Sequence, residues 1–523
     1  MKERRIPRTM STQHPDNVST PPWSGSDVIE GEAELREAFS AYSELGCDEV
    51  MWDSEGKDVD TNVIRKLLSA YPDFFQKHAL GKDIFMTYRV PNPQIEVAER
   101  KIVTETLQTI PLSSDVASVF YKRDSTPVFE VILPFTTSGE ELTWLHSYYE
   151  KAIAGVGDLK LSDSMTVKKW VGAFKPGKVN VIPLVEDMEH LLLIDSLVKE
   201  HARAIPMKQL RAFIARSDPA LNYGLMPAVL LAKIALFKLH SLKNDGIEAH
   251  PMIGVGSMPF RGHLSPTNVQ NFLEEYKGLS TVTVQSAFRY DYPHAQVKRA
   301  VAQLNSNLPN GEPDEVSPEQ EKLLRTAMYK LISAYQSRIE ELAPFINSIA
   351  QYVPRRRARK LHIGLFGYSR NVKGKTMPRA IPFAAAFYSI GIPPEFIGAS
   401  ALSGLTDAEW DALRAVYVNI RKDYRSVGSL VSWQTINMMM EVYPKVAKAA
   451  GMDTQKLRTS LGALVSDLSS IEESLSVKLG PTSSSTKKHE NFTNNFLISY
   501  MLGEHDEARD SFDQAAKLRC SLG

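Results

Sequence analysis

Short apolar segments alternate with helical stretches through most of this chain. The segments are rich in β-branched residues and are nearly continuous, which is typical of strands buried on both faces of a parallel sheet. Strands alternating with helices indicate βαβ units, and eight such units close into a (β/α)8 barrel. An open doubly wound sheet is the alternative, although no glycine-rich turn follows the first segment. The predicted strands cover 48–54, 83–90, 127–137, 179–186, 210–218, 251–257 and 281–288, with an eighth at 361–369 or 379–387.

The pattern changes after about residue 400, where helical periodicity continues almost without strand signals. Thr406 followed by Glu409 predicts a helix that begins with a capping box. The stretch 480–493 is polar and of low complexity, which favours a loop. We therefore predict an α/β fold of two regions. Residues 1–400 form the barrel with the active site, and residues 401–523 form an α-helical C-terminal region packed on it.

The overall charge excludes some classes of partner. Lysines plus arginines equal aspartates plus glutamates at 61 each, so no global field attracts nucleic acid or an anionic membrane. No apolar run is long enough to span a bilayer. The chain has two cysteines, Cys47 and Cys520, far apart in the sequence, which fits a reducing cytoplasm better than a disulfide framework. We expect a cytoplasmic enzyme with neither nucleic acid nor membrane as partner.

Charged residues stand where the predicted strands end. In a (β/α)8 barrel the active site lies at the C-terminal ends of the strands, so these residues should converge there. Carboxylates from adjacent strands suit Mg²⁺ or Mn²⁺, and arginines bind phosphate and carboxylate groups. The pattern predicts metal-assisted turnover of a phosphorylated or dianionic small molecule. The strand-end residues are Asp53, Arg89, Glu186 and Asp218, followed by Arg261 in a loop with Gly254, Gly256 and Gly262.

Two further polar segments leave alternatives open. "RRRARK" at 355–360 is a solvated basic face or a nucleic-acid patch, and the zero net charge argues against the patch. "MSTQHPDN" at 10–17 is turn-forming and places His14 ahead of any apolar periodicity. By composition alone it is a solvated tail with an incidental histidine.

The order of these motifs resembles that of phosphoenolpyruvate carboxylases, specifically their short archaeal type. The resemblance runs from about residue 10 to the end of the chain. The matching stretches are "TQHPDN" with His14, "FMTYR" with Arg89, "PLVED" with Glu186, "RSDPALNYG" with Asp218, "GVGSMPFRGHLSP" with Arg261, "TVQSAFRYDYP" with Gln285 and Arg289, "YSRNVKG" with Arg370, and "PRAIPF".

The resemblance implies carboxylation of phosphoenolpyruvate with bicarbonate, giving oxaloacetate and phosphate, with Mg²⁺ or Mn²⁺ as cofactor and a homotetramer as assembly. It assigns His14, Arg89, Arg261 and Arg370 as catalytic, Gly256, Arg289 and Arg356 as substrate-binding, Glu186 and Asp218 as metal ligands, and Lys445 as a candidate effector site. The chain departs from the family's pattern near its end. Ser521 stands where longer members have an asparagine that helps to bind an inhibitory dicarboxylate. The lysine expected soon after the second metal ligand is also missing, near Leu221.

Two other functions compete with this one. The first is another metal-dependent barrel enzyme of enolate chemistry, a mutase or lyase acting on phosphoenolpyruvate or a 2-oxo acid. The second is a non-catalytic adaptor or RNA-binding protein that uses the basic cluster. Bicarbonate-dependent phosphate release separates the first from a carboxylase, and salt-dependent RNA affinity without metal dependence would support the second.

Overall fold

Eight parallel strands form a closed barrel. The computed structural model describes residues 4–358, 370–372 and 374–523. Each strand pairs with its neighbours in chain order, and the first also pairs with the eighth, so the sheet has no open edge. This confirms the predicted (β/α)8 class. The strands are β1 (Thr9–Ser11), β2 (Glu49–Asp53), β3 (Phe85–Arg89), β4 (Glu130–Leu133), β5 (Asn180–Val185), β6 (Gln209–Ala215), β7 (Glu248–Gly254) and β8 (Thr281–Val284).

The first barrel strand is one that the sequence analysis did not predict. β1 pairs with β2 through Met10 and Glu49, and with β8 through Met10 and Thr283. The prediction of an eighth strand after the long helical stretch is therefore wrong. Residues 380–389 are helical, and 361–369 lie outside the described residues. A strand of three residues is too short to show a hydrophobic period.

Helices surround the barrel and connect its strands. The first thirteen are α1 (Glu32–Ser43), α2 (Val63–Ala70), α3 (Pro72–Lys77), α4 (Ile102–Tyr121), α5 (Gly139–Tyr148), α6 (Val167–Val171), α7 (Met188–Leu192), α8 (Ile194–Ala204), α9 (Ser217–Tyr223), α10 (Leu225–Ser241), α11 (Val269–Glu275), α12 (Ser286–Tyr290) and α13 (His294–Asn307).

The remainder of the described chain is helical apart from one short antiparallel ribbon, β9 (Arg370–Val372) with β10 (Lys375–Met377). The helical character predicted for the C-terminal region is confirmed, while the boundary at residue 400 stays a prediction. The helices are α14 (Pro318–Ala350), α15 (Ala380–Ser389), α16 (Asp407–Val416), α17 (Ile420–Gly428), α18 (Trp433–Glu441), α19 (Tyr443–Ala450), α20 (Thr454–Leu475), α21 (Ser484–Leu502) and α22 (His505–Arg519).

Helix caps in this region give one confirmation and one correction. Thr406 and Glu409 form the expected capping box at the start of α16. The loop predicted at 480–493 is wrong for most of its length, because α21 begins at Ser484 with Ser483 as its N-cap. Serines and threonines suit an N-cap, and the helix becomes buried only from His489 onward, so local composition was misleading.

Contrary to the sequence analysis, one described helical stretch is long and apolar enough to cross a membrane by length and composition. It is Leu225–Asp245, which consists of α10 and the short 3-10 turn after it. Of its 18-residue apolar window, 78% is buried inside the protein, as in the core helix of a globular domain. A second candidate arises only if the bent pair Ala380–Ser389 and Pro394–Gly404 is counted as one broken span.

The barrel interior is apolar in its middle and charged near its N-terminal end. The middle is filled by Met10, Met51, Ile132, Ile182, Leu184, Phe213, Ala215 and Met252. Nearer the strand starts, the guanidinium of Arg211 donates to both oxygens of Glu49 at 2.8 and 2.7 Å, and to Glu130 Oε2 at 3.2 Å. These three side chains come from β6, β2 and β4, and they close this end of the barrel with paired charge.

Candidate active site

A cavity of about 630 Å³ opens at the other end of the barrel, where the strands have their C-terminal ends. Its wall combines the loops after the strands with the segment before and after the β9–β10 ribbon. Among the described residues that line it, arginines outnumber carboxylates by seven to three, so the cavity suits an anionic ligand. They are Arg89, Arg216, Arg261, Arg355, Arg356, Arg357 and Arg379 against Glu55, Glu186 and Asp218, with His14 and Gln285 also in the wall.

Glu186 and Asp218 lie on neighbouring parts of this wall. Glu186 directly follows β5, is 8% exposed, and accepts a hydrogen bond at Oε2 from the backbone N–H of Phe135 at 2.9 Å. Asp218 lies in the first turn of α9, just after β6. No cluster of three or more His, Cys, Asp or Glu side chains suited to a metal occurs within the described ranges. Two carboxylates fit a hard cation that keeps water or substrate oxygens in its other positions.

Arg89 ends β3 and is held by two carboxylates. Its Nε and Nη2 donate to the two oxygens of Asp53 at 2.8 and 2.6 Å, and its Nη1 lies 3.0 Å from Glu55 Oε2. Although burial lowers the pKa of the guanidinium, Asp53 and Glu55 raise it above its ordinary value. Burial raises the pKa of Asp53, but Arg89 and Lys57 hold it well below the usual range. Arg89 therefore stays charged in a fixed orientation at the cavity wall.

Arg261 lies in the loop after β7 and is 1% exposed. All of its nitrogens donate hydrogen bonds: Nε to Ser217 Oγ at 3.1 Å, Nη1 to Asp16 Oδ2 at 2.9 Å, and Nη2 to Gln285 Oε1 at 2.5 Å. Gly256 lies directly beneath it, because a Cβ there would be 2.7 Å from Arg261 Nη1. The glycine thus allows the guanidinium to pack closely on the backbone.

His14 lies in the turn that follows β1, so the interpretation of "MSTQHPDN" as a solvated tail is wrong. Its ring lines the cavity, and Nδ1 lies 2.9 Å from Thr12 Oγ1. Burial, together with the positive charge of Arg89, lowers the pKa of the imidazole well below 6.5. The ring is therefore neutral at physiological pH and able to accept a proton.

The prediction that the basic cluster is a solvated face is wrong for Arg356 and Arg357. Arg356 and Arg357 are 6% and 4% exposed. Arg356 Nη2 donates to the carbonyl of Val18 at 2.8 Å, and Arg357 is ion-paired with Glu37. Although burial raises the pKa of Glu37, Arg357 and Arg289 lower it to about 2. Arg355 is exposed at the cavity rim, while Arg359 and Lys360 lie outside the described residues.

The cavity does not gather every predicted site residue. Arg289 is buried beside it and donates to Glu37 Oε1 and to the carbonyl of Thr12, both at 2.8 Å. Gly256 supports Arg261 without lining the cavity, and Lys445 is exposed on α19. Arg370 begins β9, and its side chain is not among those that the structure describes. Their assigned roles stay predictions.

Sequence analysis missed two arginines of the wall, Arg216 and Arg379. Arg216 directly follows β6, and its guanidinium donates to Tyr276 OH at 3.1 Å and to the carbonyl of Phe260 at 3.2 Å. Both residues stand within stretches that were singled out, "RSDPALNYG" and "PRAIPF". Arg216 could have been found from its position two residues before Asp218, and only the folded chain shows that both arginines line the cavity.

The chain is similar to known proteins over nearly its whole length. The family described as phosphoenolpyruvate carboxylase matches residues 6–523. A phosphoenolpyruvate carboxylase from Metallosphaera sedula is 45% identical over 99% of this chain and 100% of its own length. One from Picrophilus torridus is 49% identical over 84% of this chain and 86% of its own, and one from Caldivirga maquilingensis is 43% identical over 99% and 100%.

Proposed function

The chain belongs to the phosphoenolpyruvate carboxylase family, and we propose that it joins phosphoenolpyruvate and bicarbonate to give oxaloacetate and phosphate. The observation that carries this proposal is one cavity lined by His14, two carboxylates after adjacent strands and an excess of arginines. The substrate carries a phosphate and a carboxylate. Guanidinium groups form bidentate hydrogen bonds with phosphate and with carboxylate, and the arginines of the wall have the charge opposite to that of the substrate.

We propose Mg²⁺ or Mn²⁺ as the cofactor, held by Glu186 and Asp218. Both carboxylates reach the same cavity, and oxygen ligands suit these cations. When bound, the cation neutralises charge on the phosphate and on the developing enolate. Arg89 and Arg261 are fixed by their own hydrogen bonds, so they stabilise that charge without reorganising during the reaction.

His14 is proposed as the base. In the first step a bicarbonate oxygen attacks phosphorus, the bond from phosphorus to the enol oxygen breaks, and carboxyphosphate and the enolate form. His14 accepts the carboxyphosphate proton, carboxyphosphate separates into CO₂ and phosphate, and the enolate carbon attacks CO₂. The proton then returns to phosphate. A neutral imidazole is needed at the start, and the lowered pKa of His14 supplies one.

Product analysis with and without bicarbonate tests this function. Wild-type enzyme should form oxaloacetate and phosphate in equal amounts, and only with bicarbonate present. His14→Asn should still release phosphate in a bicarbonate-dependent manner, but it should form pyruvate in place of most oxaloacetate, because the enolate takes a proton. Phosphoenolpyruvate turnover by wild type without bicarbonate would instead favour the mutase or lyase alternative. Wild-type oxaloacetate rates in His14→Asn would remove His14 from the mechanism.

We also propose a homotetramer in the cytoplasm. The tetramer rests on the resemblance of the chain to its family, and the location rests on its low cysteine content. Sedimentation of the purified protein at several concentrations tests the assembly, and a stable dimer or monomer would contradict it.

A further inference from the structure

Asp16 lies two residues after His14 and is completely buried. A buried carboxylate is costly unless its oxygens are paired. Here both oxygens have partners. Oδ2 accepts from Arg261 Nη1 at 2.9 Å, and Oδ1 accepts from the backbone N–H of Ala287 at 2.7 Å. The side chain therefore joins the turn after β1 to the loop after β7 and to the turn after β8.

The backbone of Asp16 makes two further links. Its N–H donates to the carbonyl of His14 at 3.1 Å, across Pro15, and its carbonyl accepts from the N–H of Leu522 at 2.8 Å. The next residue, Gly523, accepts from Arg261 Nη1 at 2.8 Å. Leu522, Gly523 and the turn that contains His14 therefore all contact the Asp16–Arg261 ion pair.

The fit of the chain end around this pair is close. A Cβ on Gly523 would lie 2.5 Å from the carbonyl oxygen of Ile381 and 2.7 Å from the N–H nitrogen of Ala385. A larger residue would have to displace backbone here. The position of Gly523, which accepts from Arg261, is therefore set by close packing against α15.

We propose that Asp16 is a positioning residue that holds His14 and Arg261 in one arrangement and ties both to the end of the chain. The inference rests on the proposed function. His14 must meet the carboxyphosphate proton while Arg261 binds the anion beside it, so the two side chains have to keep a fixed relation. If that relation loosens, the enolate has time to take a proton before it meets CO₂, and pyruvate forms.

Asp291 provides a matched control for a purely structural role. It is also a carboxylate bound to the loop after β1, where it accepts from the N–H groups of Val18 at 2.9 Å and Ser19 at 2.7 Å. Among the described residues, its hydrogen bonds reach neither Arg261 nor Leu522 and Gly523. Asp16→Asn and Asp291→Asn should both lower thermal stability, since each weakens an anchor of the same loop.

The test measures phosphate, pyruvate and oxaloacetate in one reaction for wild type and both variants. In Asp16→Asn one side of the amide carries hydrogens and cannot accept, so one of the two carboxylate bonds is lost. We expect the rate of oxaloacetate formation to fall by ~10 to 100-fold, as a small misplacement near the reacting groups does, with phosphate release falling less and pyruvate rising. Asp291→Asn should keep the wild-type ratio of pyruvate to oxaloacetate. Equal ratios in the two variants would overturn the inference.

Removal of Leu522 and Gly523 also tests the connection of Asp16 and Arg261 to these two residues. This variant replaces Asp16→Asn as the test if Asp16→Asn does not fold. The truncated chain should show the same rise in pyruvate, and adding Asp16→Asn to it should change the ratio little further, because both changes break one connected unit. A wild-type ratio in the truncated chain would overturn the link. Wild-type enzyme that forms no oxaloacetate would overturn the proposed function and this inference with it, whereas an active wild type with unaffected variants would overturn the inference alone.

Discussion

The two ends of the barrel both bury arginines, but they compensate the charge differently. At the N-terminal end, Arg211 is paired within the barrel to Glu49 and Glu130, and the interior is closed. At the C-terminal end, seven arginines and three carboxylates of the described chain line an open cavity. One end is closed by its own ion pairs. The other presents arginines to an open cavity, and Asp53, Asp16 and Glu37 pair with three of these arginines from behind the wall. In barrel enzymes the first kind of end supports stability and the second supports chemistry.

Within the cavity end, the arginines differ in how firmly they are held. Arg89 and Arg261 are each fixed by an aspartate, Asp53 and Asp16 respectively, and by further hydrogen bonds. This arrangement keeps the guanidinium groups oriented before substrate arrives. The comparison of the two ends therefore predicts that variants at one end change stability and variants at the other change turnover.

The largest effect is expected for Arg211→Met at the closed end. Removing the guanidinium leaves Glu49 and Glu130 buried without their counter-charge, which costs about 3–5 kcal/mol of unfolding free energy. Turnover per folded molecule should not change. Chemical denaturation and active-site titration measure the two quantities. A large fall in turnover by folded Arg211→Met would break the division between the ends.

The next effect is expected for Asp218→Asn at the open end. Losing one anionic ligand should weaken the metal site and lower turnover by at least ~100-fold at low metal, with thermal stability near wild type. Titration of activity with Mg²⁺ or Mn²⁺ measures it, and excess metal should restore part of the rate. Full turnover in chelator-treated wild type, or wild-type behaviour of Asp218→Asn at low metal, would contradict the assignment of the metal ligand.

A smaller effect is expected for Arg89→Lys. The ammonium keeps the charge but cannot make both bonds to Asp53 at once, so orientation is lost while the charge remains. We expect about a tenfold fall in kcat/KM. Arg36→Lys is a suitable control, because Arg36 forms an exposed ion pair with Glu44 away from the cavity wall. Equal effects of the two changes would show that the fixed orientation of Arg89 has no role.

The smallest effect is expected in the pH dependence of stability. Burial raises the pKa of Glu34 in the folded protein to about 7 from an ordinary value of 4.5. Folding therefore takes up a proton between these values, and the contribution of Glu34 to stability falls as pH rises through this window. Glu34→Gln should flatten the profile there by at most about 1.4 kcal/mol per pH unit.

Glu37, one turn further along α1, is the control for that measurement. Its pKa is lowered to about 2, so its contribution to stability is lost only as pH falls below 4.5. Glu37→Gln should lower stability by breaking ion pairs. Because the charge of Glu37 helps to raise the pKa of Glu34, Glu37→Gln should reduce the slope between about pH 5 and pH 7, but by less than Glu34→Gln does. Denaturation curves of both variants across this pH range measure how the free energy of unfolding depends on pH. An unaltered slope in Glu34→Gln would show that Glu34 is ionised throughout.

Sequence patterns located most of the barrel and part of the site. Long, strongly apolar strands such as β5 and β6 were predicted close to their positions, and their ends carried Glu186 and Asp218 to the cavity. β1 was missed because three residues carry no period. That omission also made His14 look like part of a tail, although its turn directly follows a barrel strand.

Burial of charge was the feature least accessible from sequence. Arg356 and Arg357 stand in a basic run whose composition is typical of a solvated face, yet both are buried, because their partners Val18 and Glu37 come from segments more than 300 residues away in the chain. Arg216 likewise bonds to Tyr276 and Phe260, which stand 60 and 44 residues further along the chain. A charge pair between distant segments leaves no local pattern that composition or spacing can report.

The sequence by itself determined the fold class and the chemistry available to the chain. The alternation of apolar strands and helices encodes backbone pairing, and residue types at strand ends encode which ions and anions can bind. Only the tertiary structure decided which partner each charged side chain contacts. It joined Asp16 to Arg261 and Leu522, and it brought arginines from distant segments to one cavity wall. Local periodicity acts over a few residues, whereas desolvation and ion pairing depend on neighbours that only folding brings together.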